Sequence, residues 1–140
     1  MNWLIWSLLS ALFAALTAIL AKVGVAGVDS NLATAIRTTV VLVFSWLLVF
    51  VAKSGNLQLN TLSRKTWIFL TLSGLATGLS WLCYFRALQL GPASRVAPID
   101  KLSVVFVLVI ATVALHEPLG WKQWVGGGLM VLGAITLASN

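Results

Sequence analysis

The stretch Asp100-Lys101-Leu-Ser-Val-Val-Phe-Val-Leu-Val-Ile-Ala-Thr-Val-Ala-Leu115 sets a charged pair directly ahead of fourteen charge-free residues, Leu102 to Leu115. As α-helix that apolar run covers only ~21 Å, short of the ~30 Å hydrocarbon core of a bilayer. It can span a membrane only if Asp100 and Lys101 enter the membrane region with it. Charges at that depth are costly, and they mark substrate or ion pathways.

The rest of the chain agrees with a membrane setting. Hydrophobic residues make up 60% of the 140 residues and charged residues 9%, where a soluble domain carries about a quarter. The net charge of +6 does not read as a nucleic-acid footprint, because the basic residues sit mostly at the ends of apolar runs, where they anchor helices. The runs are continuously apolar rather than alternating, which selects helices over a barrel. Met1-Asn2 supplies no basic leader region and the first run continues to Ala21, so it reads as a span rather than a cleaved signal. Cys83, the single cysteine, lies inside an apolar run and reads as a small buried hydrophobe.

Five transmembrane helices are expected, at about residues 3–21, 31–52, 66–90, 93–115 and 121–138, as one all-α domain over 1–140. Lys22 and Lys53 close the first two. Gly91-Pro92 separates the third from the fourth, and Pro118-Leu119-Gly120 the fourth from the fifth. Asn60-Thr61 or Ser63 is expected to cap the third. Pro98 lacks a backbone donor, leaves the Ser94 carbonyl without its helical partner, and is expected to kink the fourth helix. Five spans put the termini on opposite sides. Lys53, Arg64, Lys65 and Lys122 lie on the N-terminal side, against Lys22, Arg86 and Arg95 on the other. Positive-inside counting therefore places the N-terminus inside, with a bias small enough to permit both orientations.

Polar residues fall in stripes at helical spacing. Ser7, Ser10, Ala14, Thr17 and Ala21 align on the first helix, and Ser73, Thr77, Ser80 and Tyr84 on the third, with Trp81 beside them. Helix packing explains such hydroxyl residues as well as a binding surface does. Trp81 and Tyr84 lie mid-to-late in their span and read as a cavity wall rather than an interfacial belt. Arg37 and Asp100 each lie ~9–11 Å along their helices from the same membrane face, so they can pair. The alternative is that Arg37 snorkels to the headgroups while Asp100 serves the helix N-terminus or bonds Lys101 or Arg95. Gly126, Gly127, Gly128 and Gly133 make the fifth helix smooth enough for close helix contact or a dimer face, and Gly74-Leu-Ala-Thr-Gly78 is a weaker signal of the same kind. His116, beside Glu117-Pro118, ends a helix at the interface. No nucleophile–base pair, metal cluster or phosphate loop is present, so neither enzyme, metal site nor cofactor is expected.

The run Tyr84-Phe-Arg-Ala-Leu-Gln-Leu-Gly-Pro-Ala-Ser-Arg-Val-Ala-Pro98-Ile-Asp-Lys-Leu-Ser, followed by His116-Glu117 and a Gly-rich last helix, resembles the EamA-type domain of the drug/metabolite transporter superfamily. The likeness covers the whole chain, and Arg37 matches a basic position in the family's second helix. Most members carry two such domains in inverted orientation, so this chain is similar to the short five-helix, single-domain branch. Many members read Leu-Gly-Glu where this chain has Leu115-His116-Glu117, and carry a further Pro after Pro98 where it has Asp100-Lys101. The resemblance implies a substrate cavity lined by the first, third and fourth helices, completed by a second copy.

The function expected is a secondary transporter, exporting a small polar or amphipathic metabolite across the inner membrane by alternating access as a homodimer, antiparallel in the form favoured here. A non-transporting membrane subunit or lipid-flipping partner is the second reading. A small-multidrug-resistance-like cation/proton antiporter is the third, and the absence of Asp and Glu from the first span counts against it. Asp100, Lys101, Arg37, Trp81, Tyr84, Ser80, Thr77 and Ser10 are the candidate binding or coupling residues.

Overall fold

The computed structural model describes residues 3–53 and 62–139, and every regular element among them is helical. Six helices build the five membrane-spanning segments: α1 (Trp3–Gly24), α2 (Ser30–Lys53), α3 (Arg64–Leu90), α4 (Ala93–Asp100), α5 (Ser103–Ala114) and α6 (Trp121–Ala138). The fourth segment is α4 and α5 together, and Ala93–Ala114 is long and apolar enough to cross a membrane, as are the spans of α1, α2 and α3. α6 has 18 residues, ~27 Å of helix, and carries Lys122 and Gln123 in its first turn.

Helix ends follow local chemistry. Asp29 accepts hydrogen bonds at 3.0 Å from the backbone N–H of Asn31 and of Leu32, so α2 begins one residue ahead of the expected Asn31. Its carboxylate also meets the positive end of the helix dipole. The Ser63 hydroxyl accepts the Thr66 N–H at 3.1 Å, and α3 starts at Arg64 rather than Thr66. The Asn60-Thr61 alternative lies outside the described residues. Within the spans, eight hydroxyls are satisfied on their own helix. Ser7, Thr34, Thr38, Thr39, Ser45, Thr77, Thr112 and Thr136 each donate to the carbonyl four residues earlier, which removes the cost of placing them in hydrocarbon.

The chain forms two compact units, Met1–Val23 with Ala87–Asn140, and Gly24–Arg86. In the first unit α4 and α5 lie against α6. Small residues make that approach close. Ala111, Gly127 and Ala134 are buried, and a Cβ added at Gly127 would stand 3.0 Å from Leu108 Cδ1. At the other side of this unit the Lys22 ammonium donates to the carbonyls of Leu88 and Gly91, the latter at 2.8 Å. These carbonyls end α3, where no intrahelical donor remains. Lys22 is thus a cap for another helix, and α1 continues past it to Gly24 instead of ending at Ala21. In the second unit Ser30 and Thr34 of α2 and Phe85 of α3 are buried, while α2 from Thr38 to Ala52 is exposed throughout.

The fourth segment changes its hydrogen-bond pattern just past Pro98. α4 accommodates Pro98, whose fixed φ suits a helix, and Lys101 N–H still reaches the Ala97 carbonyl at 3.2 Å. The tightening comes next: Leu102 bonds Ile99 at 3.0 Å, Val104 bonds Lys101 at 3.1 Å and Val105 bonds Leu102 at 2.9 Å, all i→i−3. The interruption therefore sits at Lys101-Leu102, three residues beyond the proline that deprives the helix of a bond.

α5 ends on His116, whose φ is +53°, in the left-handed region. Glu117 N–H then reaches back over it to the Ala111 carbonyl at 3.1 Å. Glycine takes that conformation without a Cβ clash, which accounts physically for the Leu-Gly-Glu pattern that this chain replaces.

Candidate membrane-embedded site

Each unit carries a polar centre within its spans. The first joins α2 to α3. Arg37 is seven residues past the start of α2, roughly 10 Å along the helix, and is half-buried. Its guanidinium carbon lies 4.3 Å from the centroid of the Trp81 ring and 5.3 Å from that of Phe85. Both distances fall in the range where ring quadrupoles attract a cation. Trp81 and Phe85 are four residues apart on α3 and so share a face, with Phe85 buried and Trp81 and Tyr84 half-buried. A snorkelling arginine would extend toward the headgroups; this one folds across two rings on the neighbouring helix.

The second centre is the break in the fourth segment. Lys101 Nζ lies 3.3 Å from Asp100 Oδ2, with relative exposures of 56% and 36% for the two side chains. Lys101 is one of the partners that the alternative reading gave Asp100. Arg37 holds to aromatic rings and Asp100 to its sequence neighbour. A pair at i,i+1 does not form across a regular helix face, and here it coincides with the tightened turn after Asp100.

Other expected residues separate. Thr77 is exposed with its hydroxyl given to the Ser73 carbonyl at 2.9 Å, and Ser80 and Ser10 are exposed. On the first helix the stripe turns inward only near its end, where Thr17 is half-buried and Ala21 buried. Cys83 is exposed, not buried. Of the four glycines expected to smooth the last helix, Gly127 meets a neighbour within the chain, while a Cβ at Gly126, Gly128 or Gly133 would find open space. Sequence reading overlooked Phe85 and the role of Lys22. The i,i+4 spacing from Trp81 was a signal for Phe85, whereas no local pattern marks Lys22 as a cap.

The EamA-like transporter family matches residues 1–139. The chain belongs to that family. This EamA-like protein is an integral, multi-pass membrane transporter. It is 51% identical over 138 residues to a Sinorhizobium sp. protein described as "Uncharacterized transporter in cobO 3'region", covering 98% of this chain and 96% of that one. It is also 30% identical over 74 residues to the probable 4-amino-4-deoxy-L-arabinose-phosphoundecaprenol flippase subunit ArnE of Aeromonas hydrophila subsp. hydrophila, covering 53% of this chain and 63% of that protein. The corresponding Klebsiella pneumoniae subunit is 31% identical over 78 residues, 56% of this chain and 70% of that one. No solved structure matches the EamA-like chain.

Proposed function

We propose that this protein is a secondary transporter that exports a small polar or amphipathic metabolite across the inner membrane by alternating access, working as a homodimer. The observation that carries the reading is the tightened i→i−3 turn at Lys101-Leu102 within the fourth segment, with the Asp100–Lys101 pair beside it. Irregular helical turns with charged groups beside them inside a membrane are where transporters build substrate and coupling sites. Asp100 is the group that binds or couples, and Lys101 balances its charge when no substrate is present. Two copies supply the inverted pair of units that transporters of this plan use.

The test is flux in proteoliposomes containing the purified protein. Asp100→Asn keeps the size of the side chain and removes its charge; it is expected to abolish transport while the protein still folds. Unimpaired transport would remove Asp100 from the site, and loss of folding would make its role structural.

A second reading has its own support: the protein acts as a subunit of a lipid-flipping assembly. It rests on the relatives named as flippase subunits and on the exposed apolar length of α2 from Thr38 to Ala52, which another chain can cover. Pure protein that moves no soluble metabolite but supports lipid translocation with a partner chain would favour this reading.

A further inference from the structure

We propose that Arg37, held against Trp81 and Phe85, is the recognition point for the phosphate or carboxylate head of an amphipathic anion. The inference deepens the transport reading by naming the substrate class, and rests on it.

The argument begins with charge. The unit Gly24–Arg86 contains five basic residues and one acid, Asp29. Asp29 lies eight residues before Arg37, ~12 Å along α2, and its Oδ1 is taken by the backbone of Asn31 and Leu32. Within this unit, therefore, no carboxylate neutralises Arg37. A half-buried guanidinium in hydrocarbon is costly without a counter-ion, and two aromatic faces offset only part of that cost. The guanidinium presents its five N–H donors along a planar edge. That edge has the fork geometry that fits phosphate and carboxylate oxygens. The rings add an apolar wall beside the charge, which suits a ligand with an anionic head and a hydrocarbon body.

The purified protein in neutral maltoside micelles provides the test, read as thermal stabilisation by added probes. The probes are dodecyl phosphate, dodecyltrimethylammonium and inorganic phosphate. Dodecyl phosphate should stabilise the wild type in a saturable way and the cationic amphiphile should not. Arg37→Gln should abolish the effect, and Arg37→Lys should weaken apparent affinity about tenfold, because a point charge replaces the two-pronged donor. Stabilisation by inorganic phosphate as well would support the site with a soluble phosphorylated ligand as its source. Stabilisation by dodecyl phosphate alone would support it with a lipid-like one. Equal stabilisation by the anionic and cationic amphiphiles overturns the proposal on wild-type protein alone, even if Arg37→Gln fails to fold. Undiminished binding in a folded Arg37→Gln variant overturns it too. Binding is read without transport, so a protein that binds the anion but moves no solute leaves this site standing and removes the transporter reading.

Discussion

At the residue scale, single side chains do unlike work with the same chemistry. Arg37 and Lys22 are both cations near span ends, yet Arg37 stacks on aromatic rings while Lys22 closes two carbonyls at the end of α3. The difference lies in what each helix faces: rings in one case, the open carbonyls of a helix terminus in the other. His116 shows a smaller conflict. Its left-handed backbone costs an L-residue about 1 kcal/mol relative to glycine. His116→Gly is therefore expected to raise stability by about that amount, and His116→Val, with its branched Cβ, to lower it. Thermal unfolding of the three proteins in one detergent checks the order, which should be Gly, His, Val from most to least stable.

At the element scale, the fourth and fifth spans depend on close approach. Gly127 lets Leu108 of α5 sit against α6, while Gly126, Gly128 and Gly133 face open space. The four glycines, alike in sequence, should separate on mutation. Alanine at Gly126, Gly128 or Gly133 is expected to stabilise the isolated chain by roughly 0.5–1 kcal/mol through helix propensity. At Gly127 that gain is opposed by the 3.0 Å approach to Leu108 Cδ1, and Gly127→Val, with more atoms to place, should destabilise by about 1–3 kcal/mol. Unfolding of the monomer reads this contrast, and uniform effects at all four positions would contradict it. Pro98 and the short apolar run mark the fourth span as irregular, and its tightened turn lies at Lys101-Leu102. The turn yields where α4 runs out after Asp100, because Lys101 can still close one last i→i−4 bond to Ala97.

At the scale of the whole molecule, most large hydrophobic side chains are exposed, including Trp3 at 75% and Phe106 at 68%. In a bilayer these faces meet lipid or another copy at little difference in hydrophobic energy, so small-residue contacts and charge decide assembly. The near balance of basic residues across the two sides permits insertion both ways. In an antiparallel homodimer, cysteines placed singly at each terminus should be labelled from both sides of intact cells. Cys83 is exposed and must first be replaced by Ser. One-sided labelling of each terminus would exclude dual topology. Adding two Lys to one terminus should then bias orientation and reduce transport if the inverted pair is the working unit.

The membrane location, five spans, capping at Ser63 and membership of the EamA-like family were legible in the residues themselves. Hydrophobic length and turn chemistry are local properties, and a bilayer imposes them strongly. The tertiary structure decided the pairings: Arg37 with Trp81 and Phe85, Lys22 with the end of α3, Asp100 with Lys101, and one glycine of four inside the chain. Helical spacing tells which residues share a face of one helix. Which face of the next helix they meet depends on how the helices rotate and approach, and no local sequence pattern carries that information.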